Sequence, residues 1–174
     1  MLNNDTVVER DCVRLLVEAA EAQERIGAIA PKILFYDAPD RIWFGGGRFS
    51  RTRVMGQHLR EMDRDDPDEP PRLEPISFMT GCCFLMPARV ARDVGVFDER
   101  FFMYAEDLEL AMRMQAAGLR LLYQPAARLY HRQPPNAFPK PWQVRYRDRN
   151  RRLIASMHYR WPDRLRFYAF FYTS

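Results

Sequence analysis

The stretch "FFMYAEDLELAMR", residues 101–113, places Glu106, Asp107 and Glu109 where an aromatic run gives way to an apolar helical pattern. Carboxylates so placed can accept a proton from a substrate, and an adjacent pair raises the two-carboxylate chemistry of glycoside hydrolysis. Helix geometry weighs against hydrolysis: neighbours diverge by about 100°, from ~3.6 residues per turn, so Glu106 and Asp107 cannot flank one bond. The amides of a first helical turn favour negative charge, so acids there also serve as caps and dipole partners. Asn3 and Asp5, in "NND" ahead of a helix, read taken alone as an N-cap cluster. His131 closes a strand pattern, Trp43 precedes three glycines that read as a turn, and Gly81 follows Thr80 where a backbone bends or approaches closely. Cys82 and Cys83 read as small core residues.

Alternating helices and strands must position these groups. Val13, Leu16, Val17 and Ala20 lie at helical spacing within residues 9–24, and "IGAIAPKILF" reads as a buried strand interrupted at Pro31. "YDAPD" is a turn, "RIWF" a short strand and "GGG" at 45–47 a flexible break. Residues 50–75, polar and proline-rich, form the longest loop candidate. "ISFMTGCCFLM" is apolar enough for a strand pair bent at Gly81. "PARVARDVG" predicts a helix from Pro87 to Gly95, and a second helix runs from Glu106 to Ala117 with Gly118 as its stop. "LRLLYQPAARLYH" returns to β character, "QPPNAFPKP" is a linker, and 141–172 is helical with a break near Pro162.

The composition bounds the function. A chain of 174 residues has room for about one domain, and 47% hydrophobic with 13% aromatic residues can build a packed core. The formal charge of +4 is too small to favour a nucleic-acid partner, although eight arginines face two aspartates between Arg145 and Arg166. There is no Cys-x-x-Cys pair among the three cysteines, which argues for a reducing compartment and against zinc. No run of about 18 apolar residues is present to span a membrane.

Taken in order, "GVFDERFFMYAEDLELAMRMQAAGLRLLYQPAARLYH" resembles the family-2 glycosyltransferases, above all their bacterial rhamnosyltransferase-like branch. The shared pattern is glycine, phenylalanine, Asp-Glu, a double Phe, Glu-Asp, a helix ending at glycine, a strand, proline and histidine. "MLNNDTVVERDCVRLLVEA" is similar to the family's Asx-x-Asp metal segment, and "MTGCCFLMPARVARDVG" to its Thr-Gly segment beneath the acceptor. The resemblance covers residues 1–135 and implies an α/β GT-A fold with a mixed sheet, followed over 136–174 by a basic-aromatic helical tail.

It also implies a chemistry. A sugar would leave a nucleoside-diphosphate donor with inversion and join a hydroxyl of a glycan or lipid-linked acceptor in cell-envelope polysaccharide synthesis. Asp107 matches the catalytic base, while Glu106 would position the acceptor or the loop. Asp5 matches the metal ligand, with Asn3 in the first place of the motif, and His131 matches a histidine that completes the site for Mg²⁺ or Mn²⁺. Thr80 and Gly81 would floor the site, and Trp43 would frame its acceptor side. "MHYRW" carries Met157 in place of the glutamine of processive synthases, so single-sugar transfer is expected.

The chain begins at the metal motif, so the family's nucleotide-binding half is expected on missing sequence or on another chain. The interleaved arginines and aromatics of the tail suit an anionic bilayer, or equally a helix packed back on the domain. Cytoplasmic location follows, peripheral to the inner face of the plasma membrane. The alternative function is a non-catalytic fragment or interaction module that keeps the acceptor half of the fold.

Overall fold

A computed structural model describes residues 1–134 and 139–173. Its centre is β2 (Ile26–Phe35), whose ten residues are all buried, as an unbroken apolar strand covered on both faces requires. β2 pairs in parallel with β7 (Arg120–His131), from Ile26 opposite Arg120 to Phe35 opposite His131. Pro31 lacks an N–H, and the register shifts at Pro31/Lys32 to absorb it. The interruption expected at Pro31 is therefore an irregularity inside one continuous strand.

Short antiparallel strands complete a mixed sheet. β1 (Thr6–Val8) pairs with the C-terminal end of β7 and β6 (Glu74–Ile76) with its N-terminal half, while β3 (Ile42–Phe44) pairs with β2. The order is β1-β7-β2-β3, with β6 also on β7. Alternation along the two central strands divides the core. Ile29 and Leu122 point to α1 (Cys12–Glu21), which buries Cys12, Leu16, Ala19 and Ala20 against them. Ala28, Ala30, Leu121 and Tyr123 belong to the larger cluster, with Leu108, Leu110, Ala111 and Met114 of α3 (Glu106–Ala116). The C-terminal helices α4 (Pro141–His158) and α5 (Trp161–Thr173) add Ile154, Ala155 and Phe167 to that same cluster. A short α2 (Ala88–Asp93) starts after Pro87 and ends before Gly95, which sits at φ +89°.

Three segments depart from the sequence reading. The 50–75 region is not one loop: it holds β5 (Met55–His58), which closes a hairpin with β4 (Gly47–Ser50), and the start of β6. Its remainder is tied to the sheet by charge. Lys32, only 1% exposed, meets Asp65 at 2.8 Å and also Glu69; Arg128 shares Asp65 and Arg60 shares Glu69. The "GGG" run is no flexible break either, since a Cβ on Gly47 would lie 2.3 Å from the Phe78 carbonyl oxygen. "ISFMTGCCFLM" forms no strand pair. After β6 it makes only single bridges, Cys83 to Leu2 and Leu85 to Ile29, because the chain turns at Gly81 toward the start of α3. Part of the proline-rich linker, residues 135–138, lies outside the described residues.

Candidate active site

The start of α3 faces a cleft of about 830 Å³. Asn3, Trp43, Thr80, Gly81, Glu106, Asp107 and His131, distant in sequence, all line it. Asp5 does not line it but reaches His131 from the side, with Oδ2 3.2 Å from Nε2.

Asp107 is the most firmly held of these groups. Its Oδ2 accepts the Gly81 N–H at 2.8 Å and its Oδ1 accepts the Leu108 N–H at 2.7 Å. Burial pushes its carboxyl above the usual aspartate range, and those two N–H groups pull back against it. A Cβ on Gly81 would lie 3.6 Å from Asp107, an ordinary contact. Gly81 thus serves through its N–H and not through missing bulk. Thr80 accepts the Cys82 N–H at 3.3 Å and so fixes the same turn.

Glu106 differs. Burial, and after it the Asp107 charge, push its carboxyl up to about 7, and its Oε2 is buried with no hydrogen-bond partner among the described residues. That oxygen is thus an unsatisfied buried acceptor beside the cleft. Glu109, the third acid of the stretch, has a purely structural post. It is buried between Arg113 at 2.8 Å and His158 at 3.1 Å. Burial raises its carboxyl, but the bonds from His158 and Arg113 outweigh that and bring it below its ordinary value.

At the other end of the cleft, residues 1–3 run beside 82–84 through the Asn3 N–H to Cys82 carbonyl bond of 2.9 Å. His131 ends β7, is buried, and leaves Nδ1 without a partner among the described residues. The 3.2 Å between Asp5 and His131 is a hydrogen-bond distance, close to the ~3.0 Å edge of an octahedron with bonds of ~2.1 Å, so a carboxylate and an imidazole nitrogen could each turn one ligand to a divalent ion. No third His, Cys, Asp or Glu joins them among the described residues, so such an ion would draw other ligands from substrate and water. The Trp43 ring sits 4.5 Å from both His131 and His58 and separates the two imidazoles. Burial drives His58 down to about 4, against the Trp43 carbonyl 3.0 Å from its Nδ1, so it is neutral at physiological pH.

Several lining residues escaped the sequence reading: His58, Glu61, Tyr104, and Val144, Arg147, Asp148 and Arg151 of α4. The last four were findable, because positions 144, 147, 148 and 151 fall on one face of a helix. The approach to α3 also carries backbone strain. Phe102, Tyr104 and Ala105 all have positive φ, of 57°, 68° and 66°. Each such non-glycine residue costs on the order of 1–3 kcal/mol, and strain of this kind gathers at functional sites.

The mixed sheet, covered by helices on both faces and followed by C-terminal helices, is an α/β arrangement of the GT-A type. Fold comparison agrees: the crystal structure of GalNAc-T7 with UDP, GalNAc and Mn²⁺ superposes with a TM-score of 0.60 over 86% of this chain and 29% of that one, at 15% identity. The sequence model for glycosyl transferase family group 2 matches residues 1–171, and the chain belongs to that family. Among its relatives is an N-acetylglucosaminyl-diphospho-decaprenol L-rhamnosyltransferase of Mycobacterium tuberculosis, 30% identical over 67% of this chain. Another is the O-antigen biosynthesis protein RfbC of Myxococcus xanthus, 29% identical over 75% of this chain. The match spans 40% of the mycobacterial protein and 10% of the Myxococcus one.

Proposed function

We propose that this chain carries the catalytic base and acceptor side of an inverting transferase that moves a single sugar from a nucleoside-diphosphate sugar to a hydroxyl of a glycan or lipid-linked acceptor. The observation that carries the reading is Asp107, held by Gly81 on the floor of the cleft that His131 also lines. Asp107 takes the proton of the acceptor hydroxyl as its oxygen bonds to the anomeric carbon and the bond to the donor diphosphate breaks. Glu106, whose carboxyl burial pushes up to about 7, lines the cleft beside Asp107 and positions the acceptor or the loop. Asp5 and His131, with Asn3 two residues before Asp5, would hold Mg²⁺ or Mn²⁺. Bound there, the ion would neutralise charge on the departing diphosphate. Trp43 and Thr80 shape the cleft around these groups.

The chain matches 40% of the mycobacterial relative, and recognition of the donor base we assign to sequence outside that matched part. Residues 1–135 form the catalytic portion and 136–174 the helical tail. Among the described residues no helix is long and apolar enough to cross a membrane. Phe102 is nonetheless 74% exposed, on a surface that includes Arg100, Arg145, Tyr146 and Arg149. This surface suits peripheral docking at the cytoplasmic leaflet during cell-envelope polysaccharide synthesis. The relatives named for diphospho-decaprenol and O-antigen support that setting. The test is transfer by the full-length transferase from a panel of sugar nucleotides to a polyprenyl-diphosphate sugar. Product formation that Asp107→Asn abolishes supports the reading, and full turnover by that variant overturns it.

A further inference from the structure

We infer that Asn150 is a positioning residue: its amide, delivered by α4, holds the backbone of residues 101–104 in the path that aims Glu106 and Asp107 into the cleft. The inference rests on reading those two carboxylates as the catalytic pair.

Asn150 is 0% exposed in the middle of a helix otherwise crowded with arginines. Its Nδ2 lies 2.9 Å from the Phe101 carbonyl oxygen, 2.8 Å from that of Met103 and 2.6 Å from that of Tyr104. Three acceptors around one atom require the NH₂ there, which fixes the orientation of the amide. Oδ1 faces the other way and accepts from Arg149 Nη1 at 2.7 Å, and the same nitrogen donates to the Arg100 carbonyl at 2.9 Å. Four carbonyls in the five residues 100–104 are thus gripped by two neighbouring side chains. Gln143, two turns earlier on α4, adds a bond to the Tyr104 hydroxyl.

The gripped segment needs an external hold. Phe102, Tyr104 and Ala105 all lie at positive φ, and Ala105, the residue that starts α3, offers no side-chain cap. Within α3, Asp107 accepts the Leu108 N–H, but no side chain at Ala105 caps the turn, so the approach at 101–105 must be held from outside. A small rotation at Ala105 would swing both carboxylates and break the 2.8 Å bond from Gly81 to Asp107. Asn150 reaches three of the carbonyls in this segment without entering the cleft, whose wall is built by another face of the same helix.

The 174-residue chain itself supplies the test, in Asn150→Ala and in Asn150→Asp, which keeps the size but sets an oxygen against the three carbonyls. Residue-resolved amide exchange, carboxyl NMR titration of Glu106 and thermal melting are read together. Exchange at 102–108 is expected to rise at least ~10-fold while β2 and β7 keep their protection. In Asn150→Ala the Glu106 midpoint should fall from about 7 toward the ordinary 4.5. Asp107, Glu61, Asp148, Arg147, Arg151, His58 and His131 share that cleft and are chemically unaltered in Asn150→Ala, so a moved midpoint reports a changed position of Glu106, in its burial and in its distance from Asp107. Where Asn150→Ala does not fold, Asn150→Ser, with one remaining donor, takes its place.

A folded variant with unchanged loop exchange and unchanged Glu106 titration overturns the proposal. So does a uniform rise in exchange across the sheet, or failure of all three variants to fold, since Asn150 would then serve the fold as a whole. None of these readouts uses a sugar nucleotide. Failure of the transferase reading would show separately, as full turnover in Asp107→Asn.

Discussion

Glu106→Gln should stabilise the chain, and only at neutral and alkaline pH. In the folded chain burial lifts the Glu106 carboxyl from 4.5 to about 7, so the folded state holds this proton more tightly than the unfolded state does. Its contribution to stability is full below pH 4.5 and is lost as pH rises through 7. At ~1.36 kcal/mol per pH unit the lift corresponds to roughly 3 kcal/mol. Partial exposure of Glu106 reduces that to about 1–2 kcal/mol after solvent screening. Glutamine keeps the size and removes the charge, which also relieves Asp107 beside it. Denaturant unfolding of both proteins at about pH 4 and pH 8 measures the difference, because every carboxylate other than Asp107 cancels in the comparison. The expected result is near-equality at pH 4 and a gain of about 1–2 kcal/mol for the variant at pH 8. An equal gain at both values would refute the reasoning, for it would mean that packing, not a desolvated charge, separates the two side chains. A stabilising substitution at the mouth of a cleft is what a site kept for chemistry should yield.

Asp107→Asn in the full-length transferase should lower turnover by at least ~10²-fold with donor binding largely kept, read as initial rates against a donor-binding titration. Asp5→Ala should weaken nucleoside-diphosphate binding when Mn²⁺ is present and have little effect in chelator; calorimetric titration shows both, and transfer undiminished by excess chelator would refute a metal role. His131→Ala should do the same more mildly, since water can replace one ligand. Lys32→Met should cost about 3 kcal/mol in denaturant unfolding, because Asp65 and Glu69 each lose a buried partner and keep one arginine. A loss below about 1 kcal/mol would show that Arg128 and Arg60 suffice to hold the 59–74 segment.

The site was legible in the sequence where chemistry and backbone signals coincide. Glu106 and Asp107 stand at a helix start that Gly118 closes about three turns later, and α3 runs Glu106–Ala116, within one residue of what the spacing predicts. His131 ends a strand of twelve residues, and its meeting with Asp5 across 126 positions follows only from β1 pairing antiparallel with β7. No local rule announces such a contact. The 50–75 region misled for a related reason. Its prolines and acids read as loop, yet Asp65 and Glu69 are there to meet Lys32, an amine buried in the middle of an apolar strand. A lysine within "IGAIAPKILF" was the visible trace of that partnership, since a buried ammonium must be paired.

The C-terminal helices show how a polar residue can carry more information than the charges around it. Arginines at 145, 147, 149, 151 and 152 make α4 look solvated all round, and its apolar side is hard to see. Positions 150, 153, 154 and 157 nevertheless share one face, and Leu153, Ile154 and Met157 pack into the core. Asn150 heads that apolar stripe, where a solvated asparagine has no place, so it must be buried and must find acceptors. Gly118 gives α3 its C-terminal limit, but its aim comes from those acceptors, the carbonyls of residues 101–104. The helix that reads as a detachable tail is therefore the one that fixes where the carboxylates point. Removing it should cost the site its geometry before it costs the sheet its fold.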